Sequence, residues 1–436
     1  MTAAGEDADD GTGVAEPADS HVCVHGLGHI GLPTAAVLAA AGYDVAGYDV
    51  DETVLDAVER GDPDTTEPGL ATAVSDRVRE GSLTPVREIV PAAYHVVCVP
   101  TDLTADEAAD LSIVEAAVEA IAEVLRPGDT VVVESTVPPG TTAGTVAPLV
   151  AERSPVDADE IRVVYSPETV LPGRAMEELR ANDRLVGGVD PASIETGVEL
   201  YGSFVEGHLH RTDATTAEFA KLAQNTYRDV NIALANELAR LGDDHGVDAR
   251  EAIRLGNTHP RVDLHRPGPG PGGHCLPVDP WFLCQDAPSG TLIEHARRVN
   301  DDMAGYVAEV VAEGLTARVG DPAGRPVAVL GVAYKGNVAD ARNSPGRRVA
   351  RVLEAEYEAD VRLHDPHVRE PAVASTTLSD AVGGADALVV STGHDEYREL
   401  SPGRVHEWMR TPVAVDATAT LDPVAWQGAG FAFARI

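Results

Sequence analysis

HVCVHGLGHIGLPTAAVLAAAGYDVAGYDVD, residues 21 to 51, is the stretch that decides the fold. An apolar run meets a glycine turn, a helix-forming run follows, and a second apolar run ends in Asp49. Gly26, Gly28 and Gly31 give GxGxxG directly after the first run, and Asp49 lies 18 residues beyond Gly31. In that order the residues describe a dinucleotide site: a tight turn, close backbone approach to a pyrophosphate, and a helix N-terminus facing it. An acid ending the second strand suits a pair of ribose hydroxyls and repels a 2′-phosphate, so NAD is expected rather than NADP.

The alternation continues. AYHVVCVPTD (93–102) reads as a buried strand ending in Pro100-Thr101, and DTVVVESTVPPGTT (129–142) as another ending in Ser135-Thr136. Thr101 and Thr136 border the crevice where open α/β sheets bind ligands, although helix capping would use the same residues. IRVVYSPETVLPGR (161–174) adds a strand and a punctuated loop carrying Glu168. Strands and helices alternate to about Gly202, which makes one doubly wound domain.

From Asp213 to Leu241 the pattern becomes one long helix. Phe219, Leu222, Val230, Leu234, Leu238 and Leu241 supply its apolar faces, and Gly242 is its expected stop. Lys221, Asn225 and Arg228 fall at i, i+4 and i+7 and share one stripe. Such a stripe is ordinarily a solvated face, yet ammonium, amide and guanidinium together can also bind an anion and stabilise an oxyanion. Lysine usage favours function, because Lys221 and Lys335 are the only lysines among 33 basic residues.

A shorter helix, about Ala249–Leu255, leads through a turn with His259 and Arg261 to GPGPGGHCLPVDPWF (268–282). Glycine and proline are so dense there that neither helix nor strand is expected through it. Cys275 stands in its middle, after His274 and four residues before Asp279, and is a candidate nucleophile. Residues 291–319 are again helical. At Arg325 a second α/β pattern starts without another GxGxxG. Its first turn presents Lys335 and Arg342, which suits a phosphorylated ligand other than a dinucleotide cofactor.

Composition narrows the partners. The net charge is -38, from 33 basic and 71 acidic residues, which excludes nucleic acid on electrostatic grounds and fits a protein kept soluble in concentrated salt. No run of about 18 apolar residues calls for a membrane span. The start of the chain reads as a disordered acidic tail and not as a signal peptide. Cys23, Cys98 and Cys284 read as core residues, with neither a disulfide framework nor a metal site expected, so a reducing cytoplasm is the expected compartment. The expected division is a tail (1–20), an NAD-binding domain (21–205), a central helical domain with the cysteine loop (206–318) and a second Rossmann-like domain (319–436). Helical middles of this kind commonly form dimers, so a homodimer is expected.

GLGHIGLPTA, VPTD, ESTVPPG, SPETVLPGR, KLAQNTYRDVNIALANELA, HPRVDLHRPGPGPGGHCLPVDPWF and AYKGNVADARNSP together resemble the UDP-glucose/GDP-mannose dehydrogenase family over the whole chain after the tail. The resemblance implies two Rossmann-like domains joined by a helical one, and two successive NAD-dependent oxidations of a UDP-sugar at C6, from alcohol through aldehyde to carboxylate. HPRV and VDPWF imply UDP-N-acetyl-D-mannosamine as substrate, with UDP-N-acetylglucosamine or UDP-glucose as alternatives. Cys275 matches the nucleophile that passes through a thiohemiacetal and a thioester. Lys221 and Asn225 match the pair that contacts the reacting oxygen, Asp279 an acid beside the cysteine, and Glu168 the acid tied to thioester hydrolysis. The resemblance places Thr169, Val170, Arg228, His259, Arg261, Gly272, Tyr334 and Lys335 with Lys221 and Asn225 on the sugar nucleotide. It places His29, Ile30, Asp49, Thr101, Thr136 and Arg342 on NAD. Three positions depart from the family pattern: Thr169 for a common arginine, His29 for a tyrosine and Gly336 for a proline. The product's use in surface polysaccharide is implied by the family alone.

Overall fold

A computed structural model describes residues 21–436 apart from 286, 288 and 375. The tail expected over 1–20 lies outside the described residues. The chain packs as two compact units, one ending at Asp102 and resuming over Asp110–Lys221, the other formed by Leu103–Ala109 with Leu222–Ile436.

The first unit is built on eight strands: β1 (His21–His25), β2 (Asp44–Tyr48), β3 (Leu83–Val86), β4 (Tyr94–Val97), β5 (Thr130–Val133), β6 (Arg162–Tyr165), β7 (Arg184–Gly188) and β8 (Leu209–Asp213). They lie in the order β8-β7-β6-β5-β4-β1-β2-β3. All neighbours are parallel except β6 and β7, so the last two strands run against the other six. Continuous runs such as TVVV and YHVV are what a parallel sheet covered on both faces requires. Val22, Val24 and Val96 enter one core, and Val97, Val131 and Val133 the other. The strand order reverses between β4 and β1, which puts the ligand crevice at their C-terminal ends.

There the glycines act by close approach. Gly26 has φ 89°, its N–H donates to the Tyr48 carbonyl at 2.8 Å, and a Cβ on it would stand 2.7 Å from the Cys98 carbonyl oxygen. A Cβ on Gly31, the first residue of α1 (Gly31–Ala40), would overlap the carbonyl oxygen of Gly26. The turn and the helix can approach only where neither has a side chain.

The long helix α2 (Ala214–His245) starts in the first unit and continues in the second. It does not stop at Gly242 as expected. Gly242 is there because the returning chain packs on it, with Val247 O 2.8 Å from its would-be Cβ; Gly246, at φ 66°, takes the left-handed position past the end. The expected apolar faces also divide differently. Leu222 is fully buried, but Phe219 is 54% exposed, Tyr227 62%, Leu234 44% and Leu241 44%. Toward its C-terminal half the buried positions are Ala233, Ala235, Asn236 and Ala239, small enough for close helix packing.

After α3 (Ala249–Gly256), the cysteine stretch is half loop and half helix. The chain is irregular to His274, and then α4 (Cys275–Cys284) forms, contrary to the expectation of an unstructured loop. Pro277 sits in the first turn, where no N–H is needed, and only Pro280 removes a bond, the one owed to the Leu276 carbonyl. Burial repays that loss: Val278 and Phe282 pack on Leu222 in a small core. Helix α5 (Thr291–Val319) follows, with Met303, Val307, Val311 and Leu315 fully buried against the second sheet.

That sheet is wholly parallel and has five strands: β9 (Pro326–Leu330), β10 (Asp360–His364), β11 (Ala387–Val390), β12 (Val413–Asp416) and β13 (Ala432–Arg435), in the order β10-β9-β11-β12-β13. Its first crossover repeats the first domain's turn in a stretched form. Gly331 has φ 104° and donates to the His364 carbonyl at 2.8 Å, as Gly26 does to Tyr48. A Cβ on Gly346, at the start of α6 (Pro345–Tyr357), would overlap the Gly331 carbonyl oxygen, as Gly31 would that of Gly26. The two glycines are 15 residues apart here, against 5 in the first domain. The ten extra residues form the loop with Tyr334, Lys335 and Arg342.

Candidate active site

In the first unit, Gly28 is exposed and no atom lies within 4 Å of the place a Cβ would take. Ile30, the N-cap of α1, makes no side-chain cap bond, and Leu32 N turns back to the Gly28 carbonyl at 3.2 Å, so no side chain of the turn closes over the helix start. His29 is exposed and Ile30 half-buried beside this opening. Asp49 follows β2 and accepts from Leu27 N at 2.7 Å and Asp51 N at 2.9 Å, which ties the acid to the turn. Thr101 donates its hydroxyl to the Thr136 carbonyl at 2.7 Å, joining the loops after β4 and β5. A backbone cradle that a Cβ would fill, a helix N-terminus and an acid at the second strand end fit NAD. When bound, NAD supplies a hydride acceptor.

Beneath this crevice is a feature the sequence reading passed over. Glu134, read only as part of ESTVPPG, is buried at the end of β5 and collects four donors. They are the Tyr201 hydroxyl (2.6 Å), Thr34 Oγ1 (3.1 Å), Cys98 Sγ (3.3 Å) and the Arg184 guanidinium. Arg184 also donates from Nε to Ser166 Oγ at 2.9 Å and from Nη2 to the Ser166 carbonyl at 3.0 Å. One ionic node thus fixes the ends of β4 to β7 and the residue two before Glu168. An acid inside an otherwise apolar strand run was the available signal.

Glu168 is buried and takes the Lys221 ammonium on Oε1 at 2.9 Å, while its carbonyl takes the same Nζ at 2.8 Å. Val170 N donates to its Oε2 at 2.8 Å, and Asn182 Nδ2 to the Thr169 carbonyl at 2.9 Å. Burial opposes the Glu168 carboxylate, but the Lys221 charge, the Val170 N–H and Arg184 outweigh it and hold the group below the usual carboxylate range. Lys221 is 4% exposed and Asn225 half-buried, so the stripe expected from them is buried at its start and reaches solvent only at Arg228.

In the second unit, Asn225 Nδ2 donates to Asp279 Oδ2 at 2.5 Å, joining α2 to α4. Asp279 is buried and Cys275 exposed, one helical turn earlier on the same face. As the first residue of α4, Cys275 stands at the positive end of the helix. The approach to it is clasped by the long loop after β9. Gly273 N donates to the Arg342 carbonyl at 2.9 Å, Asn343 Nδ2 donates to the Gly273 carbonyl at 2.9 Å, and the Tyr334 Cβ would stand 2.8 Å from any Cβ on Gly272. Burial, then the charges of Asp340 and Cys275, push the Tyr334 phenol up. Arg342 is engaged by Asp340, with Nη2 to Oδ2 at 2.6 Å. Arg228, His259, Arg261 and Lys335 are exposed, and Arg261 N donates to His259 Nδ1 at 3.3 Å.

Cys23, His25 and His95 have donor atoms within 4.8 Å of one another. His25 Nε2 and His95 Nδ1 face each other at 3.1 Å with ring centroids 5.4 Å apart, a hydrogen-bonded pair with those nitrogens spent on each other. Among the described residues no helix is long and apolar enough to cross a membrane.

Three family models cover the chain. The NAD-binding domain of the UDP-glucose/GDP-mannose dehydrogenase family matches residues 20–205, its central domain 215–302 and its UDP-binding domain 328–423. UDP-N-acetyl-D-mannosamine dehydrogenase of Methanococcus maripaludis is 40% identical over 418 residues, 94% of this chain and 95% of that protein. NDP-N-acetyl-D-galactosaminuronic acid dehydrogenase of Ralstonia solanacearum is 39% identical over 397 residues, 88% and 93%. The solved UDP-D-ManNAc dehydrogenase of Pyrococcus horikoshii superposes with a TM-score of 0.91 at 39% identity, over 95% of this chain and 99% of that one. With a glycine cradle for NAD in one domain and its stretched counterpart in another, the chain belongs to the UDP-glucose/GDP-mannose dehydrogenase family, as an NAD-dependent dehydrogenase of a UDP-sugar.

Proposed function

We propose that this enzyme oxidises UDP-N-acetyl-D-mannosamine twice at C6, through an aldehyde to the uronate, with Cys275 as covalent nucleophile. The observation that carries the proposal is an exposed cysteine at a helix N-terminus, one turn before a buried Asp279 bonded to Asn225. The C6 alcohol gives up a proton and a hydride to become the aldehyde. The Cys275 thiolate adds to that carbon, forming a C–S bond and a hemithioacetal oxyanion. Loss of a second hydride leaves a thioester. Water then breaks the C–S bond, which returns the thiolate and releases the carboxylate. The Lys221 ammonium and the Asn225 amide stabilise negative charge on the reacting oxygen. Asp279 fixes the orientation of Asn225. Glu168, kept ionised beside Lys221, orders and deprotonates the hydrolytic water. Gly26, Gly28, His29, Ile30, Gly31, Asp49, Thr101, Thr136 and Arg342 hold NAD, while Thr169, Val170, Arg228, His259, Arg261, Gly272, Tyr334 and Lys335 hold the sugar nucleotide.

The names of the most similar relatives support the mannosamine sugar, and the Ralstonia relative marks the C2 and C4 positions as the ones to test. The assay is kcat/KM with NAD for UDP-N-acetylmannosamine, UDP-N-acetylglucosamine, UDP-N-acetylgalactosamine and UDP-glucose in concentrated salt. A tenfold preference for the first is expected; a preference for any other reassigns the substrate. We infer a cytoplasmic homodimer that serves glycan synthesis. Phe219, Tyr227, Leu234 and Leu241 repeat every seven or eight residues along α2, an exposed apolar line that a second copy would cover. Light scattering should give twice the chain mass of 45.6 kDa, and a mass equal to one chain would refute the dimer.

A further inference from the structure

The loop with Tyr334 and Lys335 is held by a buried pair that contributes nothing to its surface. Asp365, which follows β10 as Asp49 follows β2, accepts from five donors. Its Oδ2 takes Val332 N (2.6 Å), Ala333 N (2.8 Å) and His394 Nε2 (3.0 Å). Its Oδ1 takes His367 N (2.8 Å) and Val368 N (3.0 Å). Asp365 and His394 both have fully buried side chains. On its other side His394 Nδ1 receives Asn337 N at 3.0 Å. A backbone amide can only donate, so Nδ1 is the bare nitrogen, and the proton sits on Nε2 and goes to Asp365.

His394 therefore reaches across the loop, from the carboxylate that anchors its first residues to the amide that ends its turn. The rest of the contact follows the same two segments. Thr392 Oγ1 donates to the Ala333 carbonyl at 2.6 Å, Asn337 Nδ2 donates to Asp395 Oδ2 at 2.8 Å, and Asp395 N donates back to Asn337 Oδ1 at 3.1 Å. Asn337 has φ 63°, a left-handed conformation that must be held. A Cβ at Gly336 would overlap the Gly393 carbonyl oxygen, so this glycine lets the two segments close on each other.

We propose that His394, oriented by Asp365, is a positioning residue for the sugar-nucleotide loop, fixing through the Asn337 amide the backbone from which Tyr334 and Lys335 act. The proposal rests on the reading that this loop binds the UDP moiety. His394 touches no reacting atom.

Two substitutions separate its two bonds. His394→Asn places an amide oxygen near the Nδ1 position and cannot reach Asp365. His394→Gln reaches Asp365 and withdraws from Asn337. UDP binding by titration calorimetry and steady-state kinetics with UDP-N-acetylmannosamine are measured on the full-length enzyme, with hydrogen exchange over residues 332–338 as a direct readout of the loop. His394→Gln is expected to weaken UDP at least tenfold, raise the sugar-nucleotide KM to match, speed exchange in the loop, and leave kcat and the KM for NAD within twofold. His394→Asn is expected to melt lower yet bind UDP within threefold of wild type. Wild-type-like UDP binding by His394→Gln, or UDP losses in both variants that simply track their melting temperatures, would overturn the positioning role alone. A wild-type enzyme that binds no UDP would overturn the underlying reading and the proposal with it.

Discussion

Gly28 and Gly31 lie three residues apart in one motif, and the structure gives them opposite jobs, which makes them separable by one methyl group each. At Gly31 that methyl would overlap the Gly26 carbonyl oxygen and stand 3.0 Å from the Cys98 Cβ. Gly26 cannot yield, since it is pinned by its bond to Tyr48 and its own approach to the Cys98 carbonyl. Gly31→Ala should therefore destabilise the first unit by roughly 1–3 kcal/mol or more, as overpacking does. At about 2–4 °C per kcal/mol for a unit of this size, the melting midpoint falls visibly. At Gly28 the methyl meets nothing within 4 Å, and the residue does not need a left-handed backbone. Gly28→Ala should leave the apo protein as stable as wild type, or about 0.4–1 kcal/mol more stable, because it restricts the unfolded chain. In the proposed function the same open space takes the pyrophosphate against the backbone, so NAD affinity should drop tenfold or more, about 1.4 kcal/mol. Thermal melts with and without NAD, plus NAD titration, read both effects. A Gly28→Ala protein that melts early, or binds NAD like wild type, would refute the division of labour.

Three further outcomes follow from ionisable groups, two from buried ones and one from the charge of the whole chain. Burial, then the neighbouring ring, pushes His25 down to about 3; burial, then the Arg126 charge, pushes His95 down to about 4. Both are neutral when folded and take up protons when unfolded below about 6.5. Stability should be complete above that pH and fall as pH drops, by about 2 kcal/mol for each histidine at pH 5. His95→Asn should flatten the profile, and an unchanged slope would contradict this. Glu134→Gln leaves the Arg184 charge in a node where both side chains are at most 5% exposed, so a loss of about 3–5 kcal/mol is expected in denaturant titrations; a loss below about 1 kcal/mol would contradict the node. With a net charge of -38, raising salt from about 0.1 M to molar levels, where the Debye length shrinks from about 10 Å to about 3 Å, should raise the melting temperature by screening self-repulsion, and a flat response would contradict a salt-adapted surface.

What could be read from the sequence was what local geometry dictates. GxGxxG after an apolar run was legible because all its constraints fall within six residues. Its counterpart in the second sheet was not, because Gly331 and Gly346 perform the same close approach across a 15-residue gap. Helix α4 was hidden by its prolines, whose cost is small in a first turn and offset elsewhere by burial of Val278 and Phe282. On α2 the expected apolar set divides: Leu222 is buried, but Phe219, Leu234 and Leu241 lie outside while Ala233, Ala235 and Ala239 lie inside, because close helix packing selects size as well as polarity. Lys221 was singled out through lysine scarcity, and it lies buried in an ion pair with Glu168. Glu134 was passed over although an acid in an apolar run marked it, whereas Asp365 gave no such mark, because three of its five donors, Val332 N, Ala333 N and His394 Nε2, come from segments distant in the chain.

The central claim is that Cys275 carries the sugar between two oxidations. Its most direct test counts NADH formed per UDP-N-acetylmannosamine consumed, by wild type and by Cys275→Ala. The mechanism predicts two for wild type and at most one for the variant. Two per sugar from Cys275→Ala, or one from wild type, would contradict it.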